Sequence, residues 1–258
     1  MRSSLFIAAL LFTFFSPIIT ADELRPITHE DVWTMNRLGS PVVGPEGKLA
    51  IVSVSEPSYE KDADISDLWL IHVDGSVAPR RLTSTKDSET AIEWHPDGSA
   101  IAFTAKRGDD KVRQVYVLDM KSPGEAVRIT SLSTGASNPT WSPDGSKIAF
   151  ESKVYPGTAD DEANKEEKKA RDERDYDASA YEIFPIRQWD HWRDDRQVHL
   201  FVQDAKPGAI ATDLLAGSEL VQSMGFSGTP TRSGNTLNAV WAPNGQSLVF
   251  NATTNLHE

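Results

Sequence analysis

The chain has 258 residues, with 26 basic and 38 acidic side chains and a formal net charge of −12. An acidic protein of this kind is repelled by nucleic acid and by anionic membrane surfaces, so we expect neither as a partner. The sequence contains no cysteine, which excludes disulfides, thiolate metal sites and a cysteine nucleophile.

Residues 1–21 predict a secretory signal peptide. Arg2 gives a positive start, an apolar run extends from Leu5 to Phe15, and the segment ends on the small residue Ala21. The apolar run is too short to span a bilayer comfortably, and an uncleaved N-terminal anchor is the alternative. We therefore expect a periplasmic or secreted protein that makes no membrane contact after the signal peptide is cleaved.

A ten-residue pattern recurs along residues 22–258. It consists of a tryptophan, a Pro-Asp-Gly or Pro-Asn-Gly turn and an apolar triplet. The copies cover residues 94–103, 141–150 and 241–250, and a weaker copy covers residues 44–51. Proline presets the first central position of a tight turn and glycine takes the position with positive φ, so each copy predicts a hairpin.

A second apolar strand and a short polar strand follow each of the first three hairpins. The longer strands are predicted at 68–75, 114–119 and 197–202, and the short ones at 81–83, 128–130 and 213–215. In the strand at 114–119, Val115 and Val117 point to one face and Tyr116 and Leu118 to the other, so both faces must be covered. Four strands per unit, with the turn prolines of the first three copies 51 and 47 residues apart, predict an all-β fold. We expect a partial β-propeller of four-stranded blades, with about three blades and the start of a fourth.

The third repeat is enlarged by a charged insertion at about 157–195. From Asp160 to Asp177, 14 of 18 residues are charged, and Glu167 and Arg171 have the i, i+4 spacing of helix-surface ion pairs. We predict a solvated helix or a mobile arm. An arm that contacts another domain or a substrate is the alternative.

Aromatic and arginine residues follow this charged stretch. Arg187, Trp189 and Trp192 have the composition of a peptide-binding surface, although the two tryptophans could instead pack beneath the insertion. The nearby acidic and histidine residues are more simply a polar loop than a metal site. They are Asp190, His191, Asp194 and Asp195. We expect no metal and no cofactor.

The repeat at 141–150 resembles the Pro-Asp-Gly propeller repeat shared by TolB-like proteins and the prolyl oligopeptidase family of serine peptidases. The charged insertion, the Arg187–Trp192 segment and the strand Val198–Val202 are more similar to the dipeptidyl-peptidase and acylaminoacyl-peptidase branch of that family. The resemblance covers roughly residues 24–258.

This resemblance implies an N-terminal propeller of about seven or eight blades that caps a C-terminal α/β-hydrolase domain. In that family the hydrolase domain carries a Ser/Asp/His triad, and the propeller restricts entry to short peptides. Some members anchor the substrate amine with neighbouring propeller glutamates, which makes Glu182 a candidate. Here Ile183 follows it instead of a second glutamate.

No catalytic residue is recognisable in the sequence. The segment Gly225–Thr229 comes nearest to a Gly-x-Ser-x-Gly elbow, but it lacks the final glycine, and His95 lies in a turn. We expect residues 22–258 to be an incomplete substrate-gating propeller of a secreted serine peptidase for short peptides. We expect the chain alone to be inactive, because the hydrolase domain that would be its partner is missing. The alternative is a non-enzymatic, TolB-like periplasmic propeller that binds protein or peptide partners.

The first blade of an open arc has no neighbour on one side. We therefore expect it to expose the apolar stretch Leu68–Ile71 on that side.

Overall fold

The computed structural model describes residues 25–60, 62–122, 124–176, 178, 186–188, 190–193, 195–223, 225–231 and 234–254. The predicted signal peptide lies outside these residues. The chain divides into two units, residues 1–35 and residues 36–258. In the first unit, helix α1 (His29–Trp33) begins at Thr28, whose side chain forms a capping box with Asp31. None of the helices in the described part of the chain is long and apolar enough to cross a membrane.

The second unit contains three large antiparallel sheets that follow one another along the chain. The strands of the first sheet are β1 (Arg37–Leu38), β2 (Val42–Val43), β3 (Leu49–Ser58), β4 (Ala63–His72) and β5 (Arg80–Arg81). The strands of the second sheet are β6 (Thr90–Trp94), β7 (Ala100–Ala105), β8 (Gln114–Asp119) and β9 (Val127–Arg128).

The third sheet is interrupted in sequence by the charged insertion. It starts with β10 (Ser137–Trp141) and β11 (Lys147–Val154). The insertion then contributes α2 (Asp161–Asp172) and a small hairpin of β12 (Arg187–Gln188) and β13 (His191–Trp192). The sheet is completed by β14 (Gln197–Asp204) and β15 (Thr212–Asp213), so the predicted helical insertion is confirmed.

The chain beyond the third sheet begins a fourth repeat. It contains α3 (Glu219–Gln222), a hairpin of β16 (Thr229–Thr231) and β17 (Gly234–Thr236), and a hairpin of β18 (Val240–Trp241) and β19 (Leu248–Val249). The pair β18–β19 spans the last Pro-Asn-Gly turn and is the start of the fourth blade that the repeat predicts. Sequence reasoning did not locate the β16–β17 hairpin.

Strand order within each sheet follows chain order, as expected for propeller blades. The second sheet runs β6-β7-β8-β9, and the third runs β10-β11-β14-β15. In the first sheet β1 and β2 both pair with β3, so two short segments take the place of one innermost strand. The turn glycines Gly98 and Gly145 have φ of 72° and 71°, the left-handed conformation that the turn pattern predicts.

The apolar core lies in layers between successive blades. The layer between the first two blades includes Leu68, Trp94 and Tyr116, and the layer between the second and third includes Val115 and Trp141. Val115 and Tyr116 are neighbours on β8, so this strand buries apolar side chains on both faces, as predicted. Trp94 and Trp141 are both buried.

One expectation for the first blade is wrong. Leu68 and Leu70 are buried against the second blade and do not face outwards. Side chains alternate along a strand, so Trp69 and Ile71 point to the opposite face, where they are half-buried.

Candidate functional site

A groove forms where the first strands of successive blades come together. Strand β10 contacts β6 on one side and β18 on the other. The groove between them has a volume of about 970 Å³. Its lining comes from these strands and their neighbours, and it includes Glu93, Arg113, Asn138, Glu151, Lys153 and Asn238. This position corresponds to the central channel of a propeller, so we call it the axial groove.

Each of the strands β6, β10 and β18 has a residue with positive φ, either within the strand or just before it. Ala91, Asn138 and Asn238 have φ of 53°, 50° and 49°, and each precedes the repeat tryptophan by three residues. The pairing of β6 with β7 and of β10 with β11 shifts register at the first two of these residues, which identifies β-bulges. A bulge redirects the neighbouring side chains, so the wall of the groove is set by backbone geometry that sequence reasoning missed.

Glu151 ties the third blade to the start of the fourth. It is 3% exposed. Its Oε1 accepts hydrogen bonds from Thr236 Oγ1 and from the backbone N–H groups of Leu237 and Asn238, at 2.8 to 3.1 Å. Its Oε2 accepts one from Asn138 Nδ2 at 2.8 Å. Both oxygens are occupied, so Glu151 is a structural member of the groove wall and has little capacity left for a ligand.

Glu93 differs from Glu151 because its carboxylate makes no hydrogen bond or ion pair with any of the described residues. The side chain is half-buried in the wall of the axial groove. Burial raises the pKa of Glu93 above its ordinary value. Within the described part of the groove, Glu93 is therefore a carboxylate with open hydrogen-bonding capacity.

Positive charge also lies along the groove. The Arg113 Nη1 donates to the carbonyl of Ser88 at 3.0 Å and to Thr90 Oγ1 at 3.3 Å, which holds the guanidinium near the first residue of β6. The Lys153 Nζ lies close to Gly234, only 2.7 Å from where a Cβ there would be. The groove thus presents both signs of charge.

The charged insertion is anchored to the third blade. Asn164 of α2 accepts a hydrogen bond from the Tyr155 N–H at 2.9 Å, and Asp161 accepts two from Ser133 at 2.7 Å. Arg171 lies over the Tyr155 ring, 4.5 Å from its centroid, and pairs with Asp195. Helix α2 is therefore a solvated helix docked on the third blade, which is the first of the two forms predicted for this segment.

Two of the candidate substrate-binding residues of the insertion, Arg187 and Trp192, are outside the axial groove. Arg187 and Trp192 face each other on the β12–β13 hairpin, with the guanidinium carbon 5.8 Å from the ring centroid. Trp192 is 67% exposed, so the alternative that it packs beneath the insertion is wrong. Neither residue lines the axial groove. Glu182 and Trp189 lie outside the described residues.

The segment nearest to a nucleophile elbow is structural. Ser227 is 4% exposed and forms an isolated β-bridge with Thr253. Its Oγ accepts a hydrogen bond from Asn235 Nδ2 at 2.6 Å. His95 lies in the turn after β6, with its Nδ1 2.6 Å from Asp97 Oδ1. Among the described residues, no group of three or more acidic or histidine side chains could hold a metal ion.

No protein-family model matches the chain. Two bacterial peptidases match part of it. The dipeptidyl-peptidase 5 of Porphyromonas gingivalis is 32% identical over 82 residues, which are 32% of this chain and 12% of that protein. The uncharacterized peptidase YuxL of Bacillus subtilis is 30% identical over 101 residues, which are 39% of this chain and 15% of that protein.

A solved structure shares the fold. The uncomplexed acylaminoacyl peptidase of Pyrococcus horikoshii is 14% identical, with a TM-score of 0.53, and the match covers 86% of this chain and 28% of that one. The matched relatives are peptidases of the prolyl oligopeptidase-like family, so the predicted resemblance is confirmed over part of the chain. The chain spans less than a third of the length of each of these three relatives.

Proposed function

We propose that this chain forms part of the substrate-gating propeller of a secreted serine peptidase, and that short peptides pass through or bind in the axial groove. The catalytic residues would lie in a separate α/β-hydrolase domain. The charged and aromatic hairpin that carries Arg187 and Trp192 would contact peptides outside the groove. The proposed location is the periplasm or the exterior of the cell, following the signal-like composition of residues 1–21.

The observation that supports peptide binding is the open carboxylate of Glu93 in a groove that also contains Arg113. A free peptide amine is a cation with three N–H donors, and a carboxylate without partners accepts these well. The groove volume of about 970 Å³ accommodates a few residues of peptide. Because Glu151 is saturated, Glu93 is the acidic side chain of the described groove that can accept the amine.

Calorimetric titration of the full chain with a free dipeptide and with its N-acetylated form tests this function. We expect the free dipeptide to bind and acetylation to weaken binding by about tenfold or more, since a charge-assisted hydrogen bond is lost. Glu93→Gln should weaken binding of the free dipeptide to a similar extent. The matched control is Glu166→Gln, which changes an exposed glutamate of α2 and should leave the affinity unchanged.

Equal affinity of the Glu93→Gln chain and the unaltered chain would contradict the proposal. Binding of a folded protein partner, with no binding of dipeptides or tripeptides, would instead support the TolB-like alternative. The chain alone should not react with a fluorophosphonate probe. Labelling at a single serine would show that it carries its own nucleophile.

A further inference from the structure

A second cavity lies beside the third blade and shares no described lining residue with the axial groove. Its volume is about 740 Å³. It is bounded by the chain that leads into α2, by β14 and by the segment around α3. None of the described lining residues carries a carboxylate, an ammonium group or a guanidinium group, and these residues include Thr158, Gln197, His199, Ala216, Gln222 and Ser223.

His199 is held in this wall in a fixed orientation. Its Nδ1 lies 2.7 Å from Asp213 Oδ2 on the neighbouring strand β15. The other oxygen of Asp213 accepts hydrogen bonds from the backbone N–H groups of Leu215 and Ala216, at 2.8 and 3.1 Å. The Phe226 ring meets the imidazole edge-on with centroids 6.4 Å apart. The carboxylate therefore fixes both the rotamer and the tautomer of His199.

The second ring nitrogen of His199 has no hydrogen-bond partner among the residues that the structure describes. The residue is 3% exposed, and its Nε2 is buried. In the neutral tautomer the Nδ1–H donates to Asp213, which leaves Nε2 as an acceptor. An unpaired buried polar atom is destabilising, and such atoms in folded proteins usually have a partner. Nε2 therefore takes no part in the hydrogen bonding of the described part of the third blade.

We propose that this cavity binds an uncharged ligand that donates an O–H or N–H hydrogen bond to His199 Nε2. The lining favours an uncharged ligand because a buried ion would find no countercharge there. A sugar hydroxyl and a peptide amide both supply the required donor. The cavity volume fits a ligand of a few residues or one to two sugar rings.

Nitrogen NMR of the full chain, labelled with ¹⁵N-histidine, tests the proposal. The chain has six histidines, and the signal lost in His199→Phe identifies His199. His199→Gln serves the same purpose if the phenylalanine variant does not fold. The probes are N-acetyl-dialanine amide, methyl glucoside and sodium acetate. We expect the amide or the glucoside to shift the Nε2 signal of His199 saturably, and acetate to have no effect.

A variant at the rim of the cavity tests the location of binding. Ala216 is exposed, and only its backbone bonds to Asp213, so Ala216→Trp should block the cavity while leaving the imidazole in place. We expect this variant to weaken binding of the active probe at least tenfold. The matched control is Ala78→Trp, which makes the same change at an exposed alanine of the first blade and should leave the affinity unchanged.

Three results would overturn the proposal. They are no shift from either uncharged probe up to its solubility limit, a shift from acetate alone, and a shift that Ala216→Trp leaves unchanged. Because N-acetyl-dialanine amide and methyl glucoside carry no ammonium group, these results are independent of whether Glu93 binds a peptide amine.

Discussion

The interface between the first two blades and the interface between the second and third use the same repeat in different ways. At the first interface, Trp94 Nε1 donates to the Val42 carbonyl of the preceding blade at 2.9 Å. At the second, Trp141 Nε1 is buried without a partner. There the imidazole of His95 packs edge-on against the Trp141 ring, with centroids 4.7 Å apart.

The residue before the turn proline accounts for this difference. The repeats carry Gly44, His95, Ser142 and Ala242 at that position. A large ring is present only at His95, and it fills the space between the two blades. For the tryptophan of the fourth repeat, the residue before the turn proline of the preceding repeat is Ser142. Trp241 Nε1 again donates to a carbonyl, that of Thr140, at 3.1 Å. Trp94 and Trp141 are both buried, and the hydrogen bonding of the repeat tryptophan depends on one neighbouring side chain.

The largest expected effect is the loss of either buried tryptophan. Trp94→Ala and Trp141→Ala should each reduce the free energy of unfolding by about 3–5 kcal/mol, since each opens a cavity between blades. Urea titration followed by circular dichroism measures this change. Trp192→Ala, at an exposed tryptophan, is the control and should change stability by about 0.5 kcal/mol or less. A near-neutral Trp141→Ala would show that His95 alone fills the second interface.

The next largest effect concerns the turn glycines. Gly47 and Gly145 both have φ of 71°, but a Cβ at Gly145 would overlap the His95 imidazole, whereas Gly47 has open space around it. Gly47→Ala should cost about 1 kcal/mol through backbone strain alone. Gly145→Ala should cost about 1–3 kcal/mol more because of the added overlap. Thermal unfolding of His95→Ala/Gly145→Ala checks the cause, since removing the imidazole should abolish the extra cost.

A smaller difference separates the two tryptophan N–H groups. Trp94→Phe removes a hydrogen bond and leaves the Val42 carbonyl unpaired, whereas Trp141→Phe removes an N–H that has no partner. We expect Trp94→Phe to be more destabilising by about 1 kcal/mol in urea titration. Equal losses would mean that Trp141 Nε1 finds a partner in solution, such as water.

The smallest effect concerns acid titration in the turns. Hydrogen bonding, first from the Ser142 side chain and then from the Ser146 backbone, lowers the pKa of Asp144 to about 2. The pKa of Asp97 is also lowered, with Ser99 as the largest cause. A lowered pKa in the folded state stabilises the fold above the unfolded-state pKa, near 4, and this contribution disappears as pH falls towards 2.

Carboxyl NMR titration should therefore give an Asp144 midpoint near 2, and Ser142→Ala should move it upwards. His95→Ala should leave the pKa of Asp97 low, because Ser99 provides the largest contribution there. An unchanged Asp144 midpoint in Ser142→Ala would show that the residue before the proline does not control these turns.

The sequence by itself determined the repeat architecture. Pro-Asp-Gly turns and strands with apolar side chains on both faces are local features, and they specify hairpins that must be covered on both sides. They were sufficient to predict the blades, and the i, i+4 spacing of opposite charges predicted the helix in the insertion. The similarity to peptidases was also evident, because it depends on motifs that are contiguous in the chain.

Only the tertiary structure decided which polar groups are satisfied. Glu93 and Glu151 both occur on predicted strands or beside them, yet Glu93 is open to a ligand and Glu151 Oε1 accepts hydrogen bonds from residues more than 80 positions away. The contact of His95 with Trp141 likewise joins residues that are distant in sequence. Hydrogen-bond partners of this kind are set by how blades pack against one another, and no local pattern in the sequence records that packing.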